Sequence, residues 1–120
     1  MPKQPAGTAT TATSVDLPKP IAAYFTLDKG DSEAFVRCFT EDAVVVDEGV
    51  THRGRAAIRQ WKANAATTYQ YTSEPFACEP AGEKFVVTSR VAGNFPGSPI
   101  NLKYFFKLVG DKIAGLEIVI

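Results

Sequence analysis

Residues 39–58 read Phe-Thr-Glu-Asp-Ala-Val-Val-Val-Asp-Glu-Gly-Val-Thr-His-Arg-Gly-Arg-Ala-Ala-Ile. Three elements follow from that stretch. Ala43 to Asp47 is short and β-branched, the composition of a strand. Glu48-Gly49 turns the chain into a brief return strand around Thr51-His52. Gly54 then opens a helix over Arg55 to Thr67, with Ala57, Ile58, Trp61 and Ala65 on its buried stripe. Upstream, Pro20 suits a first helical turn, and Ile21, Tyr24 and Phe25 share one face of a helix ending at Leu27. Gly30 stops it. Asp31 or Ser32 caps a second helix that runs through Phe39, with Phe35, Cys38 and Phe39 along one stripe. Downstream, four long strands cover Tyr69 to Glu79, Lys84 to Phe95, Ile100 to Val109 and Lys112 to Val119. The Pro80-Ala81-Gly82 turn, the Pro96-Gly97-Ser98-Pro99 break and the Gly110-Asp111 hairpin separate them.

Helices followed by a run of strands give an α+β class. The expected architecture is a cone-shaped roll, a curved antiparallel sheet wrapped around three N-terminal helices with an internal pocket. Residues 1–15, rich in Thr, Ala and Pro, lack apolar periodicity and read as a flexible tail. Residues 16–120 form the domain.

The whole sequence has 120 residues, 45% hydrophobic and 22% charged, the size and balance of one globular domain. Lys+Arg and Asp+Glu are each 13, so the net charge is zero. Without a basic excess, nucleic acid and membrane surfaces are not expected partners. No apolar run reaches the length of a membrane span, and the expected compartment is the cytoplasm. Two cysteines, Cys38 and Cys78, and a single histidine, His52, leave no spacing for a zinc site, so no metal is expected.

The order helix, Gly30-Asp31, helix, Phe39-Thr40-Glu41-Asp42-Ala43, strand ending in Asp47, then His52-Arg53-Gly54-Arg55-Ala56-Ala57-Ile58 resembles the nuclear transport factor 2-like superfamily. Within it, the chain is most similar to the SnoaL-like polyketide cyclases and ketosteroid isomerases, over about Leu17 to Ile120. The resemblance implies a general base at Asp47, which falls where the isomerase carboxylate abstracts a proton next to a carbonyl. The isomerase also builds an oxyanion hole from a first-helix Tyr and a penultimate-strand Asp. Ungapped counting puts Ala23 at the Tyr position, Tyr24 fits with one deletion, and the Asp position falls on Tyr104.

The residues give a compatible reading. A carboxylate at a strand end, sheltered by apolar walls, is a usable base, and His52 across the small hairpin is its candidate dyad partner. Alternation places Leu102, Tyr104, Phe106 and Leu108 on the inward face, with the Tyr104 phenol inside the cone. Asp47, His52 and Tyr104 are therefore the catalytic candidates. Tyr24, Phe39, Trp61, Val87 and Phe106 are the expected ligand-binding wall. Two readings stay open. One is cofactor-free isomerase, cyclase or dehydratase chemistry on a small hydrophobic carbonyl compound. The other is a non-catalytic ligand-binding or dimerisation domain of the same fold. The outward positions Val86, Arg90, Ala92, Phe105 and Val119 are too apolar for a fully wet face, which points to a homodimer through the outer sheet surface.

Overall fold

A computed structural model describes residues 16–27, 32–68 and 70–120, with the side chains of residues 32 and 65–68 left aside. Helix α1 spans Lys19–Leu27, α2 Ser32–Val36 and α3 Arg55–Thr68. Strand β1 spans Phe39–Asp47, β2 Val50–Arg53, β3 Tyr71–Ala81, β4 Lys84–Gly93, β5 Ile100–Val109 and β6 Lys112–Val119. The strands form one curved sheet in the order β2-β1-β6-β5-β4-β3. All neighbours run antiparallel except β1 and β6, which are parallel. The α+β roll stands, with that one parallel pairing inside it. The expected tail over 1–15, the Gly30 stop, the Asp31 or Ser32 cap and the Ala65 side chain lie outside what the structure describes.

The second helix is shorter than expected. It stops at Val36, and Phe39 opens β1 instead of closing the helix. The cause is a distant partner. The Cys38 carbonyl accepts the Ile113 amide at 2.7 Å, and Phe39 lies opposite Ile113. Sheet pairing outweighs local helical periodicity there, yet Phe35, Cys38 and Phe39 remain buried together. Strand β3 runs on through Pro80 and Ala81, and the turn falls at Gly82-Glu83. As an edge strand it tolerates Pro75 and Pro80, whose missing N–H groups need not join a ladder.

The Gly54-Arg55 step locks α3 onto the sheet. Gly54 adopts φ +87° and donates its amide to the Ala43 carbonyl at 2.8 Å. Arg55 donates from Nε and Nη2 to the Phe39 carbonyl at 3.1 and 2.6 Å. The first turn of α3 is thereby fixed against both ends of the Phe39–Ala43 segment. Ile58 becomes fully buried against the sheet. Ile21 and Tyr24 from α1, with Phe35 from α2, complete the core over Val45, Val87, Phe106, Ile113 and Leu116.

The β1–β2 hairpin carries a local strain. Asp47 pairs with Val50, so Glu48 and Gly49 form a two-residue loop with φ of 54° and 78°. Both values are positive, as the primed hairpin turns that match strand twist require. Gly49 meets that demand freely, whereas Glu48 pays a left-handed penalty that asparagine largely avoids. Glu48→Asn should raise stability by about 0.5–1 kcal/mol, or a melting temperature gain of about 3–6 °C. A thermal melt showing no gain would contradict this account of the turn.

Candidate functional site

The site begins at the end of β1. Ala43, Val45 and Asp47 alternate onto the inward face, with Ala43 and Val45 fully buried and Asp47 half-buried. Helix α3 lies over that face and brings Trp61 to the carboxylate. The indole Nε1–H donates to Asp47 Oδ2 at 3.0 Å. A hydrogen bond to an ionised acceptor is stronger than a neutral one, so this contact fixes the carboxylate's orientation.

His52 pairs with Val45 across the hairpin and shares its inward face. Asp47 is opposite Val50, so Asp47 and His52 are diagonal neighbours, a spacing of roughly 7–8 Å between Cα atoms. Side chains can span that distance, but the two residues point to a common third partner instead. Among the described residues Asp47 accepts from Trp61 and not from His52, and the imidazole rests against the Trp61 indole with ring centroids 5.9 Å apart. The expected Asp47–His52 dyad is therefore replaced by an Asp47–Trp61–His52 cluster.

Tyr104 faces inward as alternation requires, only 5% exposed. Its hydroxyl lies 3.4 Å from Ser73 Oγ, which in turn lies 3.2 Å from the fully buried Ser89 Oγ. The Tyr24 ring approaches Tyr104 edge-on at 6.1 Å and Phe106 at 5.3 Å. Phe39, Val87 and Phe106 are wholly buried within the core cluster. Among the wall candidates, Trp61 alone is half-buried, bridging core and site.

Both cysteine environments favour the thiol over the thiolate. Burial pushes the Cys38 thiol up, against a smaller opposing effect of Lys112, and it donates weakly to the Ala34 carbonyl at 3.7 Å. Burial, then the neighbouring Glu79 charge, raises Cys78. Thiols held protonated are poor attackers.

Residues 21–115 match the family profile of the SnoaL-like domain. The chain belongs to the SnoaL-like domain family. Solved structures agree. A provisionally named polyketide cyclase from Sinorhizobium meliloti is 39% identical, with a TM-score of 0.84 over 92% of this chain and 100% of that one. SalBIII, an epoxide hydrolase/cyclase-like enzyme of pyran ring formation in salinomycin, is 27% identical, with a TM-score of 0.69 over 82% of this chain and 85% of its own. A protein of ketosteroid isomerase-like fold from Catenulispora acidiphila, in complex with trimethylamine, is 20% identical. It shares the fold with a TM-score of 0.77 over 88% of this chain and 87% of its own. Curated proteins include no significant sequence match.

Within this SnoaL-like domain, two features escape the sequence. One is the Trp61 donor, because a tryptophan at helical spacing reads as core. The other is Lys62, only 7% exposed, with Nζ 3.5 Å from the Tyr71 hydroxyl. Its position four residues after the buried Ile58 places it on the same helix face and is the signal that could reveal it.

Proposed function

We propose that this SnoaL-like domain is an enzyme of the isomerase or cyclase type that moves a proton on a small hydrophobic carbonyl compound. Asp47 is the general base, and the donor to the developing oxyanion comes from Tyr104 or His52. The observation that carries this reading is the Trp61–Asp47 hydrogen bond, which holds a half-buried carboxylate at a fixed strand end. Side chains of the protein supply the chemistry, without a cofactor. Trp61 orients the Asp47 carboxylate while leaving its other oxygen to meet a C–H next to a carbonyl. Taking that proton places negative charge on the carbonyl oxygen, where a positioned hydroxyl or imidazole N–H stabilises it. The polyketide cyclase and cyclase-like character of the similar structures supports the same class of reaction. A direct test follows α-deuteration of 2-tetralone in D2O by proton NMR. The parent chain should accelerate exchange and Asp47→Asn should not, whereas equal rates would remove Asp47 as the base.

We also propose a homodimer through the outer sheet face. Val86 and Phe105 are neighbours across β4 and β5, and Phe76 is 53% exposed at the bulge in β3. Charged Glu74 of β3 and Arg90 of β4 lie directly opposite each other. An apolar centre rimmed by both charge signs is self-complementary about a two-fold axis. Sedimentation at micromolar concentration should give about twice 12.9 kDa, and Phe105→Glu should return a monomer. A parent chain that sediments as a monomer would refute the interface. With both cysteines free, a reducing compartment such as the cytoplasm is the setting we propose.

A further inference from the structure

Trp61 orients Asp47 only as well as Trp61 is itself held. The indole is half-buried on α3, and that helix is anchored to β1 through Gly54 and Arg55. Six residues of helix, about 9 Å of rise, separate Arg55 from Trp61. The hydrogen bond to Asp47 Oδ2 fixes one point of the indole. A ring held at one point still pivots, and hydrogen bonds weaken steeply as they bend.

A second contact removes that freedom, and it comes from the hairpin that carries the base. His52 lies opposite Val45 and Asp47 opposite Val50, so both side chains leave one face of the β1–β2 hairpin. The indole edge donates to Asp47 at 3.0 Å, while the His52 ring lies 5.9 Å from the indole and tilted by 37°. The wholly buried Phe35 ring lies 6.5 Å away on the helical side, tilted by 39°. Phe35 ties the indole to α2, whereas His52 ties it to the strands that fix Asp47. Among the described residues the half-buried imidazole makes no hydrogen bond or ion pair, and its ring contact is with Trp61. An imidazole suits that place, because its ring packs as an apolar body while its nitrogens remain available to water.

We infer that His52 is a positioning residue for the Asp47 base and acts through Trp61: its ring holds the indole, and the indole N–H holds the carboxylate. This rests on the reading of Asp47 as the base, and it assigns His52 to the ring contact instead of to the developing oxyanion. The role belongs to the ring and not to its nitrogens. An aromatic pair shifts the population of a held conformer by about two- to tenfold, which sets the scale of the effect.

Trp61 is the only tryptophan in the sequence, so its indole N–H gives a single NMR signal to follow. The carboxylate acceptor should hold that signal downfield in the parent chain, and Asp47→Asn should move it upfield. His52→Ala should move it the same way and lower kcat for α-deuteration of 2-tetralone about two- to tenfold, with KM little changed. His52→Phe restores a ring without nitrogens and should return both the signal and the rate most of the way. In a Trp61→Phe background His52→Ala should add no further loss, because no N–H remains to be positioned. Arg53→Gln, on the other face of β2, should leave the signal in place. An indole signal blind to His52→Ala overturns the inference. So does a His52→Phe variant as impaired as His52→Ala, which would put the imidazole nitrogens in the reaction. A parent chain with no nuclear Overhauser effect between imidazole and indole protons overturns it without any variant. Failure of the parent to exchange deuterium removes the catalytic reading and this role with it, whereas exchange with an unmoved indole signal removes this role alone.

Discussion

Asp47→Asn should reduce α-deuteration of 2-tetralone by at least about a hundredfold, the lower end of what a positioned general base contributes. The substitution is selective by design. Asparagine keeps the shape of aspartate, and its amide oxygen can still accept the Trp61 N–H that now reaches Asp47 Oδ2 at 3.0 Å. The loss is basicity, while the strand, the helix and their contact persist. The neutral hydrogen bond is roughly half as strong as the charge-assisted one, a change too small to unfold the domain. Circular dichroism of the variant should match the parent. Trp61→Phe makes the complementary cut, leaving the base but freeing its orientation, and should cost less than Asp47→Asn. An Asn variant with the exchange rate of the parent would end the assignment.

Among the described glycines, Gly93 should be the one least tolerant of an added methyl. A Cβ at Gly93 would lie 2.7 Å from both Cα and Cβ of Tyr71, and closer still to the Gln70 carbonyl oxygen. Those obstacles are backbone and the root of a side chain, so no rotamer change relieves them. Nor can the strands part easily. The Asn94 amide donates to the Gln70 carbonyl at 3.0 Å, the Gln70 amide to Asn94 Oδ1 at 2.9 Å, and the Gly93 amide to Ser98 Oγ at 2.8 Å. Overpacking against a fixed backbone costs roughly 2–3 kcal/mol, which lowers the melting temperature by about 10–20 °C. Gly115→Ala is the control. Its Cβ would meet Lys107 Cβ at 3.6 Å and the Val44 carbonyl at 3.9 Å, ordinary contact distances, and should be tolerated. A Gly93→Ala variant as stable as the parent would mean β3 approaches β4 less closely than this geometry states.

The contrast between local and distant information explains what the sequence discloses. Val44 to Val46 and the alternation from Leu102 to Leu108 carry their own strand periodicity, so β1 and β5 are legible. Phe39 is not, because its conformation depends on Ile113, which pairs with it from far along the chain. Pro75 and Pro80 likewise mark breaks until β3 is known to be an edge. In the site, Asp47 is visible as a carboxylate ending an apolar run. The identity of its partner is not. His52 is the nearer candidate along the chain, but register makes it a diagonal neighbour, and a helix arriving from outside the hairpin supplies Trp61 instead. Lys62 beside Trp61 looks like a solvated charge until the position of β3 is known.

Strand β6 follows the five other described strands in sequence yet lies between β1 and β5 in the sheet. During synthesis, β1 and its hairpin partner wait for α3 and three further strands before their neighbour exists. Until then β1 exposes an unpaired edge, the kind of surface that recruits other chains. Joining segments so distant gives a high contact order, so folding is expected in the slower, millisecond-to-second range of sheet proteins. A chain clipped before Lys112 would lose the seam between two sheet halves, and the β1–β2 hairpin with it. Nascent or truncated forms should therefore depend on chaperones far more than the finished domain does.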